Sequence, residues 1–447
     1  MPVVTWRLAV LAAAGALVVA FGPATAAVSV AVNIVVAVVW LVDLVLAPRP
    51  HTVAVARDTP GVVALGGHAD ITWSVRNPLR RTLRVRIADE LAPSLHAEER
   101  RAAVRVPALG RAHAGTRIRP QRRGLFTLDA MTVRTFGPMG VAARQARVPV
   151  RSALRVYPSF RSRQEAELRL SRSRVLQVGL RAAQGRGGGT EFDSLREYTV
   201  DDEFRRIDWS ATARARKPIV RTYRAERNQT VMVLLDTGRT MAGRVAVSTG
   251  AVGASAPADT VPRLDHAMDA VMMMTAVATR LGDRVGLVAF GDRVRGVVSP
   301  GSGRGQLRSV TEAMYRLEPQ LAESDYRGAF VETITRFRRR AMLVVLTELA
   351  EHTVAETLLP ALPLVVRNHL VVVAAVRDPE VDHWARAVPT EAGSAFRKAA
   401  AVQALDRRRR TVARLRGLGA VVIDAVPGRL APELADAYLK VKSTGRL

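Results

Sequence analysis

Cysteine is absent from the 447 residues, which excludes disulfides, thiolate metal sites, iron–sulfur clusters and cysteine nucleophiles together. Aromatic residues make up only 5% and form no stacking series, which argues against a single-strand nucleic-acid binder. Lysine is nearly missing too: Lys217, Lys398, Lys440 and Lys442 stand against 63 arginines. None of the four follows a glycine, so no phosphate-cradling Gly-Lys-Ser/Thr loop exists. There is no Gly-x-Ser-x-Gly elbow, and none of the eight histidines precedes a glutamate, which removes the HExxH zinc site. The histidines show no ligand spacing, and the chain is not expected to be an enzyme. Acids are the other scarcity: 40 Asp and Glu against 67 Lys and Arg leave a net charge of +27. The arginine excess runs through the whole chain, as the coding bias of a GC-rich genome would spread it, so part of it carries no function.

What is present begins with two apolar runs. Residues 3–21 contain only Arg7 as a charge, near the end where its stem can snorkel. Residues 28–46 carry only Asn33 and Asp43 as strongly polar members. About 20 residues span a hydrocarbon core, so residues 1–50 read as a transmembrane helical hairpin turning at Gly22-Pro23. Ala24-Thr25-Ala26 also resembles a signal cleavage site. Either reading places residues after 47 in the cytoplasm, since Arg7, Arg49 and Arg57 flank the spans while the turn has no charge. The expected location is the cell membrane, multi-pass, with membrane lipid around the hairpin.

Residues 51–158 alternate apolar and polar in short runs such as Ile71–Val75 and Leu83–Ile87, broken by Asn77-Pro78, Gly124 and Gly137-Pro138. A two-residue period punctuated by turns predicts a small immunoglobulin-like β-sandwich. Residues 159–230 form a charged connector. Gly185–Gly189 reads as a flexible linker, and the string after it interleaves Arg with carboxylates around Tyr198, Phe204 and Trp209. Such a string serves either as an interdomain clamp or as a docking surface. Its candidate residues are Arg196, Tyr198, Asp202, Arg206, Asp208, Trp209 and Arg214.

From 231 to 447, buried strand patterns (Val231–Asp236, Arg284–Phe290, Ala341–Thr347, His369–Val376, Ala420–Asp424) alternate with helical ones, while 242–262 reads as a long loop. That order predicts an α/β fold, a doubly wound, mostly parallel sheet with ligands met beyond the strands' carboxyl ends. Asp236 and Glu348 end two of those strands.

The combination of Arg196-Glu197-Tyr198, Asp202, Arg206-Ile207-Asp208-Trp209 and Ala213-Arg214, with Phe136-Gly137-Pro138-Met139-Gly140 in the sandwich, resembles domain-of-unknown-function family 58 (DUF58). This bacterial membrane family ends in a von Willebrand factor A-like domain. Asp201 departs from its usual glycine. In von Willebrand A domains, Asp-x-Ser-x-Ser, a later Thr and a further Asp hold Mg²⁺. The resemblance carries those roles onto Asp236, Thr240, Ser324 and Glu348, a degenerate set, because Gly238 replaces the middle serine and Glu348 the last Asp. It also implies a MoxR-type AAA+ ATPase as partner. The expected function is a membrane-anchored adaptor that binds protein partners, in assembly or envelope maintenance. The alternative is a membrane-tethered binder of nucleic acid or anionic lipid.

Overall fold

The computed structural model describes residues 1–21, 26–168, 191–199, 202, 204, 207–224, 229–246 and 260–443. Gly22-Pro23, Ala24-Thr25, the Gly185–Gly189 run, Asp201 and Arg206 lie outside them. The chain divides into two units, Met1–Tyr157 and Pro158–Leu447.

In the first unit, strand β1 (Pro2–Val4) precedes helices α1 (Trp6–Phe21) and α2 (Ala26–Leu46). The expected first span over residues 3–21 is therefore shorter: Pro2 cannot donate and the β-branched Val3 and Val4 favour a strand, so they pair antiparallel with Ala143 and Ala142 instead. Among the described residues, only α2 is both long and apolar enough to cross a membrane. The strands that follow are β2 (Ala54–Asp58), β3 (Val62–Ala64), β4 (Ala69–Arg76), β5 (Leu83–Asp89), β6 (Arg101–Val106), β7 (Arg111–Ile118), β8 (Gly124–Phe136) and β9 (Ala142–Tyr157). One sheet runs β1-β9-β8-β5-β6 with β3 also on β9, and a second runs β2-β4-β7. Ile71, Trp73 and Val75 of the second sheet share one core with Val85, Ile87, Met131, Val133 and Leu154 of the first. Through that core runs a polar pin. Arg57 on β2 is ion-paired with Asp89 on β5 and donates to Leu128 O, Val150 O and Ser152 Oγ at 2.9 Å each. Trp73 Nε1 adds a bond to Asp89 at 2.7 Å. A buried ion pair is tolerated only when its remaining donors and acceptors are satisfied, as they are here.

Asp43, buried near the end of α2, accepts hydrogen bonds from the backbone of Met139 (2.8 Å), Val141 and Ala142 (2.7 Å each) in the β8–β9 turn. The motif Phe136-Gly137-Pro138-Met139-Gly140 explains itself here. A Cβ on Gly137 would collide with the Asp43 carboxylate, and Gly140 has φ +72°, which glycine adopts at no steric cost. The last carbonyls of a helix run out of helical N–H donors. Arg144 Nε takes Leu44 O at 3.1 Å, Arg81 takes Leu46 O, and Thr135 Oγ1 takes Pro48 O at 2.6 Å.

In the second unit, β10 (Glu191–Glu197) pairs antiparallel with β11 (Ile219–Arg224) around a short helix, Trp209–Ala215. The main sheet, six-stranded among the described residues, has the order β16-β15-β12-β17-β18-β19: Val294–Gly301, Arg284–Phe290, Thr230–Asp236, Met342–Leu346, Leu370–Val376 and Val421–Ala425. All its pairings are parallel except β15 with β16. Alternate residues of β12 enter different cores. Val231, Val233 and Leu235 meet the helices Arg263–Arg280 and Leu430–Ser443, while Met232 and Leu234 meet Tyr326–Arg336. Within the expected 242–262 loop, β13 (Arg244–Ala246) and β14 (Thr260–Pro262) pair with each other. The helical stretch from Glu351 to Val366 passes through a π turn at Val354–Leu358.

Replacing Asp43 by Ala deletes three charge-assisted bonds, and at roughly 1.5–3 kcal/mol for bonds to a charged group the loss should exceed about 3 kcal/mol. In detergent, thermal unfolding of the full chain should fall accordingly, with amide exchange rising first at Met139, Val141 and Ala142. Unchanged exchange at those three amides would remove Asp43 as the anchor.

Candidate functional site

The carboxyl edge of the parallel sheet is where ligands meet such folds, and Asp236 is its first acid. It is fully buried. Oδ1 accepts from Ser324 Oγ at 2.5 Å and from Gly238 N at 2.7 Å. Oδ2 accepts from Thr347 Oγ1 at 2.6 Å and from Tyr326 OH at 2.9 Å. Loop backbones lock this arrangement: Arg239 N donates to Ala322 O, Gln320 N to Thr237 O, and Asp325 N to Gly291 O. Tyr326 also stacks edge-on to Phe290 at 5.4 Å. Burial, with the Asp236 charge beside it, pushes the Tyr326 phenol well above its ordinary pKa, so it stays a donor.

Glu348 lies one residue beyond Thr347 and is bracketed by arginines. Arg263 Nε stands 3.2 Å from Oε2, and Arg408 pairs with Oε1 while reaching Asp424 at 2.8 Å. Burial opposes the Arg408 charge, but Glu348 and Asp424 outweigh it and raise its pKa. Tyr326, Thr347, Arg263, Arg408 and Asp424 were not among the sequence candidates. Thr347 adjoins Glu348 and Tyr326 follows Ser324 by two, so proximity to the named residues was their one available signal. Arg408 sits in the run Arg407–Arg410, and composition does not single out one arginine of four.

Of the four positions matched to a metal, the structure joins Asp236 and Ser324 directly. Thr240 lies half-buried in the turn Arg239–Ala242, and among the described residues no hydrogen bond links its hydroxyl to Asp236. Mg²⁺ needs open carboxylate and hydroxyl lone pairs in octahedral array. Here every Asp236 oxygen already accepts two donors and Glu348 faces two guanidinium groups, so the residues as arranged do not fit a divalent cation.

Among the described residues, the connector carboxylates Asp202 and Asp208 accept from donors of the connector itself. Asp202 takes both terminal nitrogens of Arg196, at 2.8 and 2.5 Å, and both the backbone and hydroxyl of Thr199. The Arg196 bonds lower its pKa to about 2. Asp208 caps Trp209–Ala215, accepting from Ser210 N and Ala211 N at 3.0 Å each and from Arg221 Nε at 2.7 Å. Its pKa is lowered by Arg221 first and then by the backbone donors. Tyr198 contributes its backbone, N–H to Pro218 O at 2.9 Å. Arg214 Nε donates to Ser210 O at 3.2 Å. Trp209 and Phe204 stay 61% and 68% exposed, their rings edge-on at 5.6 Å.

Behind Arg263 on the same helix, His266 is buried with Nε2 unbonded. Desolvation, helped by Arg161 and Arg263, lowers its pKa to about 4.

A family model described as "Protein of unknown function DUF58" matches residues 194–384 and supports that family; the span includes the Asp208 cap and the Asp236 network. No curated protein matches the chain. Among solved structures, a protein of unknown function from Porphyromonas gingivalis W83 is 16% identical, covering 24% of this chain and 47% of that one, with TM-score 0.19. This chain thus spans about half that structure's length. An uncharacterized membrane spanning protein from Vibrio fischeri is 14% identical over 48% of this chain and 98% of its own, TM-score 0.21. The CARDB domain of a Pyrococcus furiosus protein in complex with di-metal ions is 12% identical over 24% and 90%, TM-score 0.15. Likeness at this level carries no inference about fold or function.

Two outcomes test the site. Asp236→Ala strands four buried donors and should cost about 3 kcal/mol or more, while millimolar Mg²⁺ should leave the melting midpoint of the parent chain unmoved. A Mg²⁺-dependent rise that Asp236→Ala abolishes would restore the metal. For His266, the unfolded side chain takes its proton near pH 6.5 and the folded one only near 4. Its contribution is therefore complete above about pH 6.5 and is lost as pH falls toward 4, at most about 3 kcal/mol. Asp269, whose carboxyl burial raises despite bonds from Ser162, acts with the opposite sign. The difference between parent and His266→Phe, read by amide exchange in β12 and β17 from pH 7 to 4.5, isolates the imidazole. Parallel curves would rule out this origin.

Proposed function

We propose that this chain is a non-enzymatic adaptor held in the membrane by two N-terminal helices, whose von Willebrand A-like α/β unit binds protein partners. Several observations support the membrane part. α1 starts directly after β1, and Asp43 lies in the last turn of α2, with Thr5 and Asp43 both bonded to the same β8–β9 turn. Helices that start and finish on one turn suit two crossings, and a removed leader would take β1 and the Thr5 bonds to Gly140 O and Val141 O with it. The arginines flanking the helices favour a cytoplasmic bulk. The parallel order of β15-β12-β17-β18-β19 supports the von Willebrand-like reading.

The observation that carries the adaptor reading is the contrast between the sheet edge and the connector. At the edge, Asp236 is consumed by four internal donors and Glu348 is flanked by two guanidinium groups, which leaves them unsuited to general base or nucleophile work. In the connector the carboxylates are equally occupied, yet Phe204 and Trp209 remain in water, on a segment whose helix Trp209–Ala215 also carries Arg214. Exposed aromatics next to arginine are the composition of a binding hot spot. The partner that the family resemblance suggests is a MoxR-type AAA+ ATPase, in a role of assembly or envelope maintenance.

A crosslinking pull-down from native membranes tests this. Phe204→Ala with Trp209→Ala should cut partner recovery about tenfold or more, as loss of two aromatic anchors does, while the melting midpoint holds. Full recovery by the double variant, or its unfolding, would turn the pair into a structural element.

A further inference from the structure

A cavity of about 300 Å³ opens where α1 meets the sandwich, and five arginines reach it: Arg7, Arg84, Arg86, Arg105 and Arg134. No carboxylate lines it. The register makes this arrangement costly. Arg84 on β5 stands directly opposite Arg105 on β6, and Arg86 directly opposite Arg134 on β8. Like charges at directly paired strand positions destabilise a sheet. Arg84 and Arg86, two residues apart, share one face. Above them, a Cβ placed on Gly140 would lie 3.0 Å from Arg84 Nη2 and 3.2 Å from Arg7 Nη1, so two guanidinium groups converge over that glycine.

Neutral groups hold these cations in place without cancelling their charge. Arg7 Nη1 donates to Met139 O and Arg84 Nη2 to Pro138 O, each at 3.0 Å. Arg134 donates twice to Gln145 Oε1, at 2.9 and 2.6 Å. Arg86 rests over the Phe136 ring at 5.4 Å. Among the described residues none of the five is ion-paired with an acid. A chain that satisfies Arg57 and Arg408 with carboxylates has left five guanidinium groups aimed at one space and uncompensated. Such preorganised forks bind phosphate oxygens.

The position of the mouth selects the source of the phosphate. Trp6, 68% exposed, and Arg7 form the first turn of the apolar helix α1, and both line the cavity. Tryptophan and arginine at the start of a span are interface anchors. The membrane reading above, on which this step rests, sets the mouth at headgroup depth. We propose that the cavity binds the phosphodiester headgroup of an anionic glycerophospholipid, with the acyl chains left in the bilayer along α1.

The test uses the full chain in detergent micelles, titrated with dioctanoyl phosphatidylglycerol, dioctanoyl phosphatidylcholine or inorganic phosphate while the melting midpoint is followed. Phosphatidylglycerol should raise the midpoint saturably, and the other two should not at equal concentration. Arg86→Ala with Arg105→Ala should raise the half-saturating concentration about tenfold, the loss of one to two charged contacts. Arg101→Ala with Arg117→Ala, outside the cavity, should leave it unchanged. Should the first pair misfold, Arg105→Gln alone carries the test, because among the described residues the Arg105 side chain makes no hydrogen bond or ion pair. An equal response to inorganic phosphate overturns the lipid assignment, and unchanged titration of the cavity variants overturns the cavity. Carbonate extraction separates this from the membrane reading: release of the chain sinks the spans, whereas retention without preference for phosphatidylglycerol sinks the headgroup site alone.

Discussion

A carboxyl group taken out of water must be given hydrogen-bond partners, and four such groups sit at junctions within this molecule. Asp43 joins a helix to the β8–β9 turn through three backbone amides. Asp89 joins the two sheets through Arg57 and Trp73. Asp236 gathers the loops at the carboxyl edge of the parallel sheet. At the opposite edge, Asp283 accepts from Gln229 N, Tyr438 OH and Lys442 Nζ, tying the last helix to the start of β12 and β15. In each case removal of the acid strands several donors at once. A break there costs more than the sum of ordinary surface pairs.

That use of acids explains part of the charge imbalance. Forty acids serve 67 basic residues, and several of the acids are committed to interior bonds, so too few remain to neutralise every outer arginine. Over most of the surface this is harmless, because exposed guanidinium groups are hydrated and screened. It ceases to be harmless where strand register forces them face to face, as at Arg84–Arg105 and Arg86–Arg134. A repulsive arrangement on a well-ordered sheet, fixed by carbonyls and an aromatic ring, differs in kind from a background of coding bias. Geometry separates the two where composition cannot.

The periodic features were legible in the sequence. Alternation in Ile71–Val75 and the continuous apolar Val231–Leu235 run both reflect burial on known faces, and burial is what hydropathy encodes. β1 was not legible, since three residues beside an apolar helix carry no period of their own. The edge strand Val294–Gly301 was missed for a related reason: its residues are only half-buried, and its Pro and Gly read as turn signals. Asp43 was visible only as a polar interruption, because the turn it meets lies about a hundred residues away. At the sheet edge, Asp236 and Ser324 could be named from pattern, whereas the guanidinium groups on Glu348 arrive from the helices Arg263–Arg280 and Ala392–Gly417. Only tertiary packing brings those together.

Gly238 shows why the departures from the metal-binding pattern belong together. A Cβ at that position would run into Ser324 Oγ, the atom that bonds Asp236. A serine in the middle of the motif would therefore push away the very hydroxyl that now satisfies Oδ1. With Gly238 the Ser324 hydroxyl closes in, and the Gly238 amide itself donates to the same oxygen. Thr347 and Tyr326 then fill Oδ2. Glu348, longer than aspartate by one methylene, reaches Arg263 and Arg408 instead of turning back toward the carboxylate of Asp236. Each substitution makes sense only in the presence of the others. Around Asp236 the edge is thus a self-consistent hydrogen-bonded plug, in which hydroxyl and amide protons occupy the directions a cation would need.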